Sequence, residues 1–220
     1  MSPHARVDAT DLWAPRGLCD PDEAKLGESP EFLSDGDRRT ITGWWLAISG
    51  RANTPNWDLV SKCHIEGKPG LILIEAKAHE GELGDDRCGA TNKDNFERIK
   101  LALSEANVAW NALLPGFNLS SDTHYQLSNR FAFAWKVAAM GTPVVLVYLG
   151  FLNAHEMKPP YKLLRTAEDW HGCVLAKSAR TIPAEVWGRT FHVNGTSMTV
   201  LIRSAAVEVM ANADSGELSR

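Results

Sequence analysis

At 220 residues, with 44% hydrophobic and 23% charged side chains, the chain is long enough to bury a single core and is neither disordered nor fibrous in composition. Its 27 acidic against 23 basic residues give a net charge of −4, so contact with nucleic acid would have to come from a local patch rather than from overall charge. Four widely spaced cysteines (Cys19, Cys63, Cys88, Cys173) without a CxxC pair argue against a zinc site or a disulfide framework. The sequence has neither a signal-peptide core nor an apolar run of the ~20 residues that span a bilayer, so the expectation is a cytoplasmic protein with no membrane partner.

In chain order, residues 1–30 are rich in Pro, Asp and Gly and read as an irregular arm. Ile41, Trp44, Trp45 and Ile48 then recur at helical spacing, which predicts a helix within 31–49, capped by Ser34 or Asp35. "WDLVSKCHI" (57–65) and "LILIEAKA" (71–78) read as strands, and the intervening "EGKPG" (66–70) as the turn of an antiparallel hairpin. Phe96, Ile99, Leu103, Ala106, Trp110 and Leu113 mark a helix over 91–114 that starts near Thr91. A further helix is expected over 122–140, and the apolar run "VVLVYLGFL" (144–152) predicts a strand covered on both faces. Beyond it, short helices near 166–178 and 183–188 and a hairpin of "TFHV" with "SMTVLIRSAAVEV" are expected. The domain reading is an arm (1–30), an α/β core (31–152), a C-terminal extension packed on it (153–210) and a disordered tail (211–220).

The chemistry lies at the end of the second hairpin strand, where four apolar residues run into Glu75, Ala76 and Lys77. Glu-x-Lys is common by chance, and the chain holds four copies: Glu23/Lys25, Glu66/Lys68, Glu75/Lys77 and Glu156/Lys158. Only Glu75/Lys77 lies inside a strand, where a period of two points both side chains to one face. Antiparallel pairing brings the head of the first strand beside the end of the second, and a turn centred near Gly67 or Lys68 puts Asp58 by the rung of Lys77 and Ala78. Two carboxylates with the Ala76 carbonyl make a hard oxygen site suited to Mg²⁺. Lys77 beside it is placed to orient or deprotonate a water, or to stabilise developing charge. A surface salt-bridge cluster is the competing reading of the same three residues.

Asp58 at the head of one strand and "EAK" at the end of the next resemble the PD-(D/E)xK nuclease superfamily, with Trp57-Asp58 standing where the family has Pro-Asp. The resemblance spans roughly residues 31–152 and extends to the order of elements: a helix before the hairpin, a helix after it, then an apolar strand. It implies a restriction-endonuclease-like α/β sandwich with a central mixed sheet flanked by helices. It also implies DNA as the partner, with RNA left open, a homodimer as one arrangement, and Mg²⁺ (or Mn²⁺ in its place) held by Asp58, Glu75 and Ala76. A catalytically inactive binding module of the same fold is the alternative. Many members of the exonuclease-like branch carry Gln-x-x-x-Tyr on the following helix. Here Gln126 is followed four residues on by Arg130, a candidate phosphate contact, and not by Tyr. Lys62 and His79 are further candidates for the substrate face, and Asp37 or Glu31 for a supporting acid from the first helix. For each of these four an ordinary solvated or capping role is the competing reading.

Overall fold

The computed structural model describes residues 2–17, 20–50, 52–155 and 161–206. The expected tail, 211–220, lies outside these residues.

The protein is an α/β fold built on one mixed six-stranded sheet with helices packed against it. The hairpin of β4 (Leu59–Ile65) and β5 (Lys68–Lys77) closes through only two residues, Glu66 and Gly67, with φ of +50° and +76°. Positive φ at both central positions is the type I′ geometry whose twist suits an antiparallel pair, and Gly67 adopts it without a Cβ penalty. β5 then runs parallel to β6 (Val144–Leu152), which runs parallel to β8 (Thr196–Ala206), and β7 (Thr190–Val193) closes that side as an antiparallel edge. The last third of the chain therefore supplies two strands to the same sheet. On the other side, β1 (Trp13–Ala14) pairs with β4, while β2 (Ala24–Lys25) pairs with β3 (Asn56–Trp57) in a separate ribbon. The arm thus lies along the outer edge of the hairpin, where it satisfies backbone groups that an open edge would expose.

Four helices form where helices are expected. α1 (Asp35–Trp45) is capped by Ser34, whose side chain accepts from the Asp37 amide. It stops at Leu46, so Ile48 is not its last apolar turn; that residue is exposed, and its backbone is gripped on both sides by the Asn95 amide. α2 (Lys93–Leu113) starts one residue later than Thr91 suggests because Asn92 is the cap. α3 (Tyr125–Ala139) is buried from Leu127 through Trp135, and α4 (Ala167–Ser178) begins with a Thr166–Asp169 capping box. The expected helix near 183–188 is one 3-10 turn, Ala184–Val186.

Side chains from all four helices join the larger apolar cluster with Val60, Leu71 and Leu73 of the hairpin and Val144, Leu146 and Tyr148 of β6. The alternate residues of those strands, including Ile72, Ile74, Val145 and Val147, form a smaller cluster with Ala5 of the arm. β6 is therefore buried on both faces, as its unbroken apolar run requires.

Gly150 of β6 marks the closest approach of α4: a Cβ there would lie 2.5–2.9 Å from ring atoms of Trp170. Trp170 cannot simply turn away, since its indole N–H donates to the Tyr148 carbonyl and its ring is fully buried. Gly150→Ala is expected to destabilise the fold by about 1–3 kcal/mol, read as a lowered urea midpoint at unchanged slope.

Candidate metal and phosphate site

The parallel strands β5, β6 and β8 end on one rim of the sheet, the place where open α/β sheets hold ligands. Glu75 and Lys77 are delivered to that rim by β5, and β6 sets Tyr148 beside Glu75 in register. Asp58 occupies the bend between β3 and β4. Because the turn is only two residues long, the ladder runs from Ile65–Lys68 to Leu59–Ile74, and Asp58 falls next to Glu75 rather than next to Lys77 and Ala78. Its Oδ2 accepts the Ala76 amide at 2.6 Å. Asp58, Glu75 and Lys77 thus meet at one rim, in a register shifted from the sequence expectation by the tighter turn.

Glu75 has no solvent exposure, and both of its oxygens are paired. Oε1 accepts from Lys77 Nζ, and Oε2 accepts from Arg130 Nε at 2.5 Å. Arg130 reaches down from buried α3, with its Nη1 donating to Asn129 Oδ1 at 2.8 Å and its guanidinium 4.7 Å from the centre of the Trp57 ring. Trp57 is fully buried, so it serves as the platform for an arginine and is not open for stacking on bases. Burial first, and then the negative charge of Glu75, hold the Asp58 carboxyl above the usual carboxylate range. The Ala76 amide, Lys77 and Arg130 act in the opposite direction.

Beside this cluster opens a cleft of about 1290 Å³, lined by Asp58, Gln126, Asn129 and Arg130 among others. Among its described lining residues, Glu23, Asp58, Glu82, Asp85 and Asp86 are acidic and Arg130 alone is basic. Besides Asp58, others of these acids accept backbone amides: Glu82 that of Ala78, and Asp85 and Asp86 those of His124 and Gln126 at the start of α3. Glu75 and Lys77 lie behind the lining, so Asp58 and Arg130 are what the cleft presents of the cluster.

The remaining candidates separate. Gln126 lines the cleft one helical turn before Arg130. Lys62 pairs with Leu71, four rungs back from the Glu75 level, which is about 13 Å along the strand, and it does not line the cleft. His79 is buried, not an exposed strand end. Its Nδ1 accepts the Gly81 amide, its Nε2 lies 3.3 Å from Glu82 Oε1, and its ring stacks on Tyr161. Both nitrogens are engaged in shaping the chain after β5. Asp37 is tied to Ser34 as part of the α1 cap, and Glu31 is half-buried just before that helix; neither lines the cleft. Asn129 and Tyr148 were not singled out from sequence. Polar Asn129 in an apolar helix was a readable signal; Tyr148 in an apolar strand was not.

As donors for a hard cation, Asp58 and Glu75 fit the chemistry: two adjacent carboxylates beside a backbone carbonyl, with Asp58 Oδ1 making no hydrogen bond among the described residues. The second lone pair on each Glu75 oxygen remains an acceptor, though in competition with Lys77 and Arg130. No family model, no curated protein and no solved structure matches this chain.

Proposed function

We propose that this protein is a Mg²⁺-dependent nuclease of the PD-(D/E)xK superfamily, with a restriction-endonuclease-like fold, that hydrolyses phosphodiester bonds of DNA. The observation that carries this reading is the meeting of Asp58 with Glu75, Ala76 and Lys77 where a buried parallel strand ends beside a large cleft. Asp58, Glu75 and the Ala76 carbonyl are the groups that hold the cation. When bound, it supplies a water activated near neutral pH and polarises a phosphoryl oxygen. Lys77 pairs with Glu75 through Oε1 and provides positive charge for the attacking water and the charge that develops on phosphate. Arg130 and Gln126 face the cleft, where a guanidinium and an amide donate to non-bridging phosphate oxygens. The acidic rim makes binding of a polyanion depend on divalent cations.

A second reading, a non-catalytic module that binds nucleic acid or protein, is favoured by one specific feature. Lys77 and Arg130 already neutralise Glu75 from both sides, as in a structural ion-pair cluster.

The deciding measurement is cleavage of single- and double-stranded DNA by the full chain with Mg²⁺ and with chelator, beside Asp58→Asn. Metal-dependent cleavage lost in Asp58→Asn supports the nuclease. DNA binding without cleavage under any divalent cation supports the module. Asp58→Asn also carries a stability prediction, since Asn preserves the acceptor for the Ala76 amide. The raised carboxyl pKa means that the protonated form of Asp58 favours the fold below the ordinary carboxylate range, and that this contribution is lost as pH rises through the raised value. Asp58→Asn is therefore expected to unfold at a higher temperature than wild type at pH 7, with the gap shrinking towards pH 4. A gap that is absent or reversed at neutral pH would show that Asp58 is not strained by its surroundings.

A further inference from the structure

The position of Arg130 carries a consequence for how the site is switched on. A buried carboxylate needs cationic partners, and the chain itself gives Glu75 two of them. The two differ in access: Lys77 lies behind the cleft lining, whereas Arg130 belongs to it. They also differ in support. Arg130 rests on the Trp57 ring and on Asn129, contacts independent of Glu75 that help hold its guanidinium at the cleft wall when Nε leaves the carboxylate.

We propose that Arg130 is a resident cation that caps Glu75 in the free protein and is drawn off it by a phosphodiester in the cleft, so that divalent metal and nucleic acid bind synergistically. The proposal rests on the reading of Asp58 and Glu75 as metal ligands. An arginine fork prefers a phosphate to a single carboxylate oxygen because it donates two parallel hydrogen bonds to it. With Arg130 on the phosphate, Glu75 Oε2 is released to the cation beside Asp58, and the anionic backbone arrives with the charge that the acidic rim would otherwise repel. No bond is made or broken in this exchange; one ion pair replaces another. The coupling must be reciprocal: metal tightens DNA by the same factor as DNA tightens metal. The device also restrains the site, since with Arg130 on Glu75 the cleft presents only Asp58 of the two carboxylate ligands.

The test is a Mn²⁺ titration of the full chain, followed by calorimetry and by the electron paramagnetic resonance signal of free Mn²⁺, so that no turnover is needed. It is run alone, with a short DNA oligonucleotide, and with the same sequence carrying uncharged methylphosphonate linkages. Wild type is expected to bind Mn²⁺ roughly tenfold more tightly with the phosphodiester oligonucleotide, within the usual range of coupling, and to gain nothing from the uncharged one. Arg130→Gln, checked for folding by circular dichroism, is expected to bind Mn²⁺ more tightly than wild type without DNA and to show no further gain with it. Arg130→Lys, which keeps a buried charge if Arg130→Gln does not fold, is expected to lose most of the coupling. Equal Mn²⁺ affinity of wild type with and without the phosphodiester overturns the proposal while leaving the metal site standing, provided that Asp58→Asn abolishes binding. Absence of Mn²⁺ binding to wild type and Arg130→Gln alike overturns both the switch and the metal-site reading beneath it.

Discussion

Glu75→Ala is expected to cost about 3–5 kcal/mol of stability, the usual penalty for removing one member of a buried ion cluster. Glu75 is fully buried, and the side chains of Lys77 and Arg130 are only 8% and 6% exposed. Truncating the carboxylate leaves a buried ammonium and guanidinium with only the half-buried Asp58 as an anion nearby, and the cavity removes packing contacts as well. Equilibrium urea unfolding measures the loss. The cost is one of mismatch rather than of a lost attraction, so a second variant separates the two. Replacing all three residues together (Glu75→Leu, Lys77→Met, Arg130→Met) removes every buried charge at similar volume, and is expected to be neutral or stabilising by about 1–4 kcal/mol. A protein of unchanged stability in Glu75→Ala would mean that water reaches the cluster and that Glu75 is not sealed by its cations. A triple variant at least as stable as wild type would show that the cluster is not what holds the fold together.

The residues at this rim were legible where a local rule decided them, and not where distance did. Glu75 and Lys77 could be chosen from four Glu-x-Lys copies because an apolar strand with a period of two fixes their face and its end fixes their place. The partner strand was equally readable, yet the rung was not. The five residues 66–70 all carry turn character, and only the ladder reveals that Lys68, Pro69 and Gly70 already pair with Ile65, His64 and Cys63. That difference moves Asp58 from the level of Lys77 to that of Glu75. α1 was read one turn too long because Ile48 continues the apolar spacing, while its burial was pre-empted by Asn95, 47 residues away. The pairing of Arg130 with Glu75 spans 55 residues and depends on how deeply α3 sits under the sheet. Sequence placed Gln126 and Arg130 on one helix face but gave no means of telling a phosphate contact from a carboxylate clamp. The paired strands of the arm carry no periodicity because two residues each are too short to show one.

Lys77→Ala is expected to lower the rate of DNA cleavage by about 10²–10⁴-fold, the range for removing a group that acts on the attacking water or the developing charge. The same substitution also takes a cation from Glu75 Oε1, so a rate loss by itself does not separate chemistry from support. Lys77→Arg separates them. Arginine restores a positive charge against Glu75 and, with Arg130, satisfies the buried carboxylate, but its guanidinium is planar, bulkier and never gives up its proton. If Lys77 only neutralises Glu75, Lys77→Arg recovers both thermal stability and the rate at saturating DNA. If its ammonium works on the reacting groups, stability recovers while that rate stays low and the KM for DNA changes little. The second outcome is the expected one, because Glu75 has Arg130 as a cation in the free protein and the divalent metal in the DNA complex, which leaves Lys77, two residues along the strand rim, for another task. Wild-type rates in Lys77→Ala would remove Lys77 from the reaction and leave the cluster as an ion pair that shapes the cleft.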